Sequence, residues 1–152
     1  MKIEQRPLIF DNVIVYETRQ LKKDWQEGIF ILEDFPLTRD IYQNGPVFFS
    51  VSPEDGKAEF VHFTYYLPIN VPISLSDETH FRFEEQFRID DALVLRQADE
   101  AVDFYDAYDR VKQYASEQQI ELEDTYYCVL LKVFDDIIID LYVPIRERGD
   151  QS

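Results

Sequence analysis

An acidic residue among aromatic and aliphatic neighbours near the C-terminus is the feature of this chain best suited to ligand chemistry. In "IIIDLYVPI" (residues 137–145), strand alternation places Ile138, Asp140 and Tyr142 on one side and aliphatic residues on the other. A carboxylate beside an aromatic ring suits an organic cation, because charge attraction and contact with the ring face both favour it. The alternative is that Asp140 pairs with a neighbouring Lys or Arg, or points into solvent.

A second stretch has the same ending. "TYYLPI" (64–69) and "IDLYVPI" (139–145) both close on Tyr, an aliphatic residue, Pro and Ile, and their last residues lie 76 positions apart (145 − 69). Subtracting this offset gives first-half counterparts on the same side of an equivalent strand. If the aliphatic sides pack under helices, the mixed sides line a cleft in which Tyr66 and Tyr142 flank Asp140. The predicted ligand-binding residues are Asp140, Tyr142, Tyr66, His62, Thr64 and Ile138.

Other chemistries have weaker support in the residues. The chain has two histidines, His62 and His80, and one cysteine, Cys128, without the spacing of a zinc site. Cys128 falls in a predicted inner strand, where a buried thiol is usually inert. The four glycines form no phosphate-binding loop. We therefore predict no metal site, no cofactor and no catalytic residue.

The first half predicts strand, helix, strand, strand. Thr18 is expected to cap the helix, which ends before Pro36. Gly28 weakens this helix by about 1 kcal/mol relative to Ala. The apolar stripe of the helix comprises Leu21, Trp25, Ile29 and Leu32. The strands span residues 8–17, 47–52 and 58–67, and Asp55-Gly56 forms the turn between the last two.

The second half predicts the same order. An amphipathic helix over residues 100–118 follows a cap at Asp99. Its apolar stripe comprises Phe104, Tyr108, Val111 and Ala115. Residues 81–97 contain strand material, and two further strands span residues 125–134 and 137–145, with Asp135-Asp136 as the turn between them. Pro68 and Pro144 lack an N–H donor, which suits the ends of strands.

These elements predict an α+β fold. We expect a single domain over residues 1–146, made of duplicated strand-helix-strand-strand units, with both helices on one face of a curved, mainly antiparallel sheet. Repeat one spans about residues 7–69 and repeat two about residues 81–145, joined by a connector over residues 70–80. The tail, residues 147–152, is expected to be disordered.

Composition narrows the classes of partner. The 152 residues carry a formal net charge of −16, which disfavours nucleic acid and anionic membrane surfaces. Such acidity serves solubility, or else attracts a basic partner or a cationic ligand. The longest apolar runs are too short to span a bilayer, and the N-terminus lacks the apolar core of a signal peptide. We therefore predict a cytoplasmic protein whose single cysteine stays reduced.

The pattern resembles the GyrI-like (gyrase-inhibitor-like) effector-binding domains of bacteria. The closest local match is "DALVLRQADEAVDFYDAYDRVKQYASEQQIE" followed by "IIIDLYVPI". Asp140, Tyr142, Pro144 and Ile145 fall on the family's ending of an acidic residue, an aromatic residue, Pro and Ile. Two features depart from the family. "RQADEA" stands where a glycine is common, and the usual Glu is Asp140. No DNA-binding helix-turn-helix precedes the domain, so a complete transcription factor is not expected.

The resemblance implies a function. It implies a cleft on the face opposite the helices that takes small, often cationic and aromatic molecules. A fainter similarity to small proteins encoded beside LXG-type secreted toxins implies an accessory or chaperone-like role. Some relatives of the fold hydrolyse small molecules with an acidic and an aromatic residue, for which Asp140 with Tyr142 or Tyr66 are the candidates here.

Three functions follow, in order of preference. The first is a stand-alone, non-catalytic small-molecule-binding protein. The second is an acidic protein-interaction or accessory protein, and the third is a hydrolase. An open cleft favours the first function, and a cleft filled by the chain's own Phe and Tyr side chains favours the second. The ligand, the protein partner and the oligomeric state are left open.

Overall fold

The computed structural model describes residues 3–35, 37–52, 60–75, 80–97, 104–133 and 136–146. The α+β, single-domain prediction is confirmed. The strands are β1 (Ile3–Leu21), β2 (Phe48–Ser52), β3 (Phe60–Pro68), β4 (Phe81–Gln97), β5 (Tyr126–Val133) and β6 (Asp136–Pro144). The helices are α1 (Trp25–Glu33) and α2 (Phe104–Glu117). The predicted turn at Asp55-Gly56, the cap at Asp99, Asp135 and the tail lie outside the described residues.

The six strands form one closed antiparallel barrel. Their order around the barrel is β1-β3-β2-β5-β6-β4, and every adjacent pair runs antiparallel. If β1, β2 and β3 are exchanged with β4, β5 and β6 respectively, the same order results, read in the opposite direction. The topology therefore has the twofold character expected of a duplicated unit.

The two Tyr-x-Pro-Ile endings occupy equivalent places in the barrel. The backbone N–H of Ile69 donates to the carbonyl oxygen of Asn12 at 2.8 Å, and that of Ile145 donates to Asp91 at 3.0 Å. Both isoleucines also form isolated bridges to the segment that precedes the middle strand of their own half. The similarity between the two sequence stretches therefore reflects an internal repeat.

The two faces of the sheet carry separate apolar clusters. Both helices contribute to the larger one, the helix-side cluster, through Ile29 and Leu32 of α1 and Ala107, Val111 and Ala115 of α2. No helical residue among those described belongs to the other, the helix-free cluster. That cluster comprises Leu8, Val13, Val15, Phe48, Tyr66, Phe87, Ala92, Val94, Val129 and Tyr142. Both helices therefore pack on one face, as predicted.

The start of the first helix differs from the prediction. Thr18 does not cap a helix, because it lies within β1 and pairs with Phe63 of β3. The β1–β3 ladder continues to the pair of Leu21 and Phe60, so strand pairing satisfies the backbone groups that a helix would otherwise use. The helix begins only at Trp25, whose ring stacks on Phe49 at 5.5 Å.

Gly28 explains how α1 docks on the sheet. A Cβ atom at this position would lie 2.1 Å from Cε1 of Tyr65, whose ring fills the space beside the helix. The Tyr65 hydroxyl donates to the carbonyl oxygen of Trp25 at 2.5 Å and accepts from Nε2 of Gln20 at 3.0 Å. Gly28 weakens the helix locally, but it leaves room for the Tyr65 ring, whose hydrogen bond to Trp25 joins α1 to β3.

Candidate functional site

The six predicted site residues lie on two strands at opposite sides of the barrel. Tyr66 and Tyr142 both belong to the helix-free cluster, on β3 and β6 respectively. In the closed order, two strands separate β3 from β6 in either direction. Asp140 and Thr64 are buried, whereas His62 and Ile138 are half-buried. Alternation along β6 is as predicted, since Ile139 and its aliphatic companions Leu141 and Val143 face the helix side.

Asp140 is a buried carboxylate with a resident counter-ion. Its side chain is 4% exposed, and Arg96 of β4 binds both of its oxygens. Arg96 Nε donates to Oδ1 at 2.8 Å, and Nη2 donates to Oδ2 at 3.1 Å. This two-point geometry is the strongest arrangement of an arginine–carboxylate pair, and it raises the pKa of Arg96. The structure therefore bears out the ion-pair alternative for Asp140.

Arg96 was not among the predicted site residues. The β4–β6 ladder places it directly opposite Asp140, but that register is not visible in the sequence. Arg96 differs from its partner in exposure, because 55% of its side chain is accessible to solvent. The carboxylate is thus fixed in the protein, while the cation lies at the surface.

A second guanidinium group lies near Asp140. Arg6 of β1 forms an ion pair with Glu4, which is the main reason that the pKa of Arg6 is raised. The positive charge of Arg6 also acts on Tyr142, whose pKa it lowers against the larger effect of burial. Burial raises the pKa of Tyr142, and the negative charge of Asp140 raises it further. The surroundings of Asp140 thus include a phenol and two cations.

Aromatic side chains fill the helix-free face around Tyr66. Its ring stacks on Phe48 with centroids 4.5 Å apart and planes inclined by 8°. Phe87 meets both rings edge-on, at 4.8 Å from Phe48 and 4.9 Å from Tyr66. Tyr127 lies 5.3 Å from Phe87. Burial among these rings raises the pKa of Tyr66. Instead of an open wall, Tyr66 is part of a packed aromatic cluster.

The structure describes a buried thiol but no metal-binding group among the residues it covers. Cys128 is fully buried in the helix-side cluster, where burial raises the pKa of its thiol. Within the described ranges, no three His, Cys, Asp or Glu side chains are grouped to hold a metal ion. Neither α1 nor α2 is long and apolar enough to cross a membrane.

A surface cavity lies next to Arg96. Its volume is about 580 Å³, and it opens where α1, the start of β2 and the ends of β4 and β5 meet. It is lined by Ile29, Glu33, Gln43, Pro46, Val47, Arg96, Leu130, Leu131 and Lys132. The residue that pairs with Asp140 is therefore accessible from this cavity.

Residues 9–147 match the model of a protein family described as a domain of unknown function (DUF5085). The chain belongs to this family. A search of curated protein sequences finds no match for this DUF5085 chain.

Solved structures show the fold of the DUF5085 chain in other proteins. The EcmrR C-terminal domain matches with a TM-score of 0.66 at 10% identity, over 96% of this chain and 99% of the other. SAV2435 bound to tetraphenylphosphonium matches with a TM-score of 0.54 at 12% identity, over 97% and 95%. A hydrolase from Listeria innocua matches with a TM-score of 0.62 at 11% identity, over 95% and 92%. At these identities the likeness shows the fold alone.

The fold-level resemblance stated from the sequence is confirmed. EcmrR and SAV2435 have the GyrI-like effector-binding fold, which the DUF5085 chain shares over nearly its whole length. The link to LXG-type toxins has no support in these comparisons. The cytoplasmic location and the exclusion of nucleic acid stay predictions.

Proposed function

We propose that this chain is a non-catalytic binding protein for a small organic cation, with Asp140 as the charge-selecting residue. The observation that carries the proposal is the asymmetry of the Asp140–Arg96 pair, at 4% and 55% exposure. A buried carboxylate requires a positive partner, since an unpaired buried charge is costly. Arg96 can move into solvent, whereas Asp140 cannot. A ligand cation can therefore take the place of the guanidinium group.

The surroundings of Asp140 support this choice of ligand. Tyr142 lies beside it on β6, and aromatic faces attract organic cations. The neighbour SAV2435 was solved with tetraphenylphosphonium, an aromatic cation, which supports the ligand class at the level of fold. Phe48, Tyr66 and Phe87 belong to the same helix-free cluster as Tyr142, so further aromatic rings lie on this face.

The test compares a cation with a neutral molecule of similar shape. Calorimetric titration of wild type and Asp140→Asn would use tetraphenylphosphonium and triphenylphosphine oxide. Losing one partner of a desolvated charge pair costs about 2–5 kcal/mol, and about 1.4 kcal/mol is a tenfold change in affinity. Affinity for the cation should fall by tens-fold or more, and affinity for the oxide should change little.

Asp90→Asn provides the matched control. Asp90 also pairs with an arginine, Arg88 at 2.5 Å, but its side chain is 74% exposed. This variant should bind both molecules as wild type does. Equal losses for the cation and the oxide in Asp140→Asn would contradict the role of Asp140, and so would a wild type that binds neither.

A protein-interaction role is the second candidate, and it is favoured by the rings of Phe48, Tyr66 and Phe87 that fill the helix-free face around Tyr66. Phe30 and Ile31 of α1 are 61% and 41% exposed, and Tyr42, which follows the helix, is 54% exposed. Exposed aromatic and aliphatic groups are typical of partner-binding surfaces. On a chain with a net charge of −16, they favour a basic partner. Failure of the wild type to bind either small molecule would favour this role.

A further inference from the structure

The cavity beside α1 arises from a difference between the two repeats. Phe48 pairs with Tyr66, and Tyr127 pairs with Tyr142, so Phe48 and Tyr127 are equivalent positions in the two repeats. The residues that precede them, Val47 and Tyr126, are therefore equivalent as well. In the second repeat, Tyr126 is buried and stacks at 4.5 Å on a tyrosine of α2. In the first repeat the smaller Val47 lines the cavity instead.

The same relation holds on the helices. The numbering offset between Phe48 and Tyr127 (127 − 48 = 79) relates Ile29 of α1 to Tyr108 of α2. Tyr108 is the ring that stacks on Tyr126. Two rings of the second repeat thus correspond to two aliphatic side chains of the first, and both of these line the cavity. Its volume of about 580 Å³ lies within the usual range of small-molecule sites.

The charged residues in the lining of the cavity are two cations, Arg96 and Lys132, and one carboxylate, Glu33. Arg96 uses Nε and Nη2 to bind Asp140, so Nη1 can donate to a further acceptor. Lys132 is 74% exposed and lies 3.9 Å from Glu33, at the outer limit of an ion pair. Two cations therefore face one carboxylate, above a floor that includes Ile29 and Val47.

We propose that this cavity is a second binding site, which takes an organic anion with an aromatic or branched aliphatic body. Lys132 and the remaining Arg96 donor hold the acidic group, and the aliphatic floor contacts the body. The site adjoins the proposed cation site at Asp140, since Arg96 contributes to both, but it requires no ligand at Asp140.

The test uses a fluorescent anion and its uncharged analogue. Anilinonaphthalene sulfonate and phenylnaphthylamine share an aromatic body and differ in the sulfonate. Wild type should bind one molecule of either probe per chain. Val47→Tyr places a ring where the second repeat has one, and it should abolish binding of both probes while leaving tetraphenylphosphonium binding unchanged.

Charge variants complete the test. Lys132→Met should weaken binding of the sulfonate by about two- to fivefold, as expected for an exposed charge pair, and leave the neutral probe unaffected. Lys112→Met, which removes a half-exposed lysine from α2, should affect neither probe. Equal effects of the two lysine variants would overturn the proposal, as would sulfonate binding that survives in a folded Val47→Tyr. If Val47→Tyr does not fold, the comparison of the lysine variants decides.

Discussion

Gly28→Ala tests how the first helix docks. Helix preference alone predicts that alanine stabilises the chain by about 1 kcal/mol. The structure predicts the reverse, since the new Cβ would lie 2.1 Å from Cε1 of Tyr65 and 2.2 Å from Cζ. The ring is buried, and its hydroxyl is held by Trp25 and Gln20, so it cannot turn away without losing hydrogen bonds.

The change in the free energy of unfolding follows from the gain in helix preference and the cost of displacing the Tyr65 ring. Overpacking a core costs about 1–3 kcal/mol, and each lost hydrogen bond about 1 kcal/mol. After the gain in helix preference, Gly28→Ala should lower the free energy of unfolding by about 1–3 kcal/mol. For a domain of this size, each kcal/mol lowers the melting temperature by about 2–4 °C.

Urea unfolding of two pairs of proteins provides the assay. The first pair is wild type and Gly28→Ala, and the second is the same pair with Tyr65→Leu. Without the ring of Tyr65, Gly28→Ala should no longer lower the free energy of unfolding and should leave it unchanged or raise it. A Gly28→Ala variant that is as stable as wild type with Tyr65 present would refute the packing of Tyr65 against α1.

Two further predictions concern buried ionisable groups. Cys128 is buried and the pKa of its thiol is raised. A thiol reagent should therefore modify it in urea but not in the native chain at mildly alkaline pH. Rapid modification of the native chain would contradict the burial of Cys128. The folded-state pKa values of Cys128, Tyr65 and Tyr66 lie above the ordinary 9.0 and 10.0, so the folded chain holds these protons more tightly. The resulting stability is present below the ordinary values and is lost as pH rises from these to the higher folded-state values. Urea midpoints should therefore fall above about pH 9, and less steeply in Tyr65→Phe, and a flat profile would contradict this.

Local patterns predicted the second half better than the first. Residues 81–97, which were expected to contain strand, form β4 throughout. The segment from Thr18 to Leu21 was predicted as the start of a helix, but it extends β1. Its polar residues fit a helix or a strand, and the hydrogen-bonded pairing with β3 favours the strand. That ladder joins residues about forty or more positions apart, so a local pattern cannot reveal it.

Long strands also change face within their length, which simple alternation misses. Phe81 and Phe83 pack on the helix side, whereas Phe87 belongs to the helix-free cluster. The change occurs opposite Asn12 of β1, between the pairs Asp11–Gln86 and Val13–Glu84. Asn12 has a φ of 58°, a left-handed conformation that asparagine tolerates better than most residues.

The ligand-binding role of the six predicted residues stays a prediction. Alternation along the last strand predicted the face on which Tyr142 lies, which is the helix-free face. The partner of Asp140 and the rings around Tyr66 come from other strands, and only the register between strands brings them together. Arg96 and Phe87 could be found only once the barrel order was known.

The most direct test of the proposed function is the affinity of Arg96→Met for tetraphenylphosphonium. In wild type the ligand must displace a two-point ion pair from Asp140, and in this variant it meets a buried carboxylate that has lost its two-point partner. Calorimetric titration at mildly alkaline pH should therefore show tighter binding of the cation than in wild type, with affinity for triphenylphosphine oxide unchanged. Weaker or equal binding of the cation by a folded Arg96→Met would contradict the proposal that the ligand takes the place of Arg96.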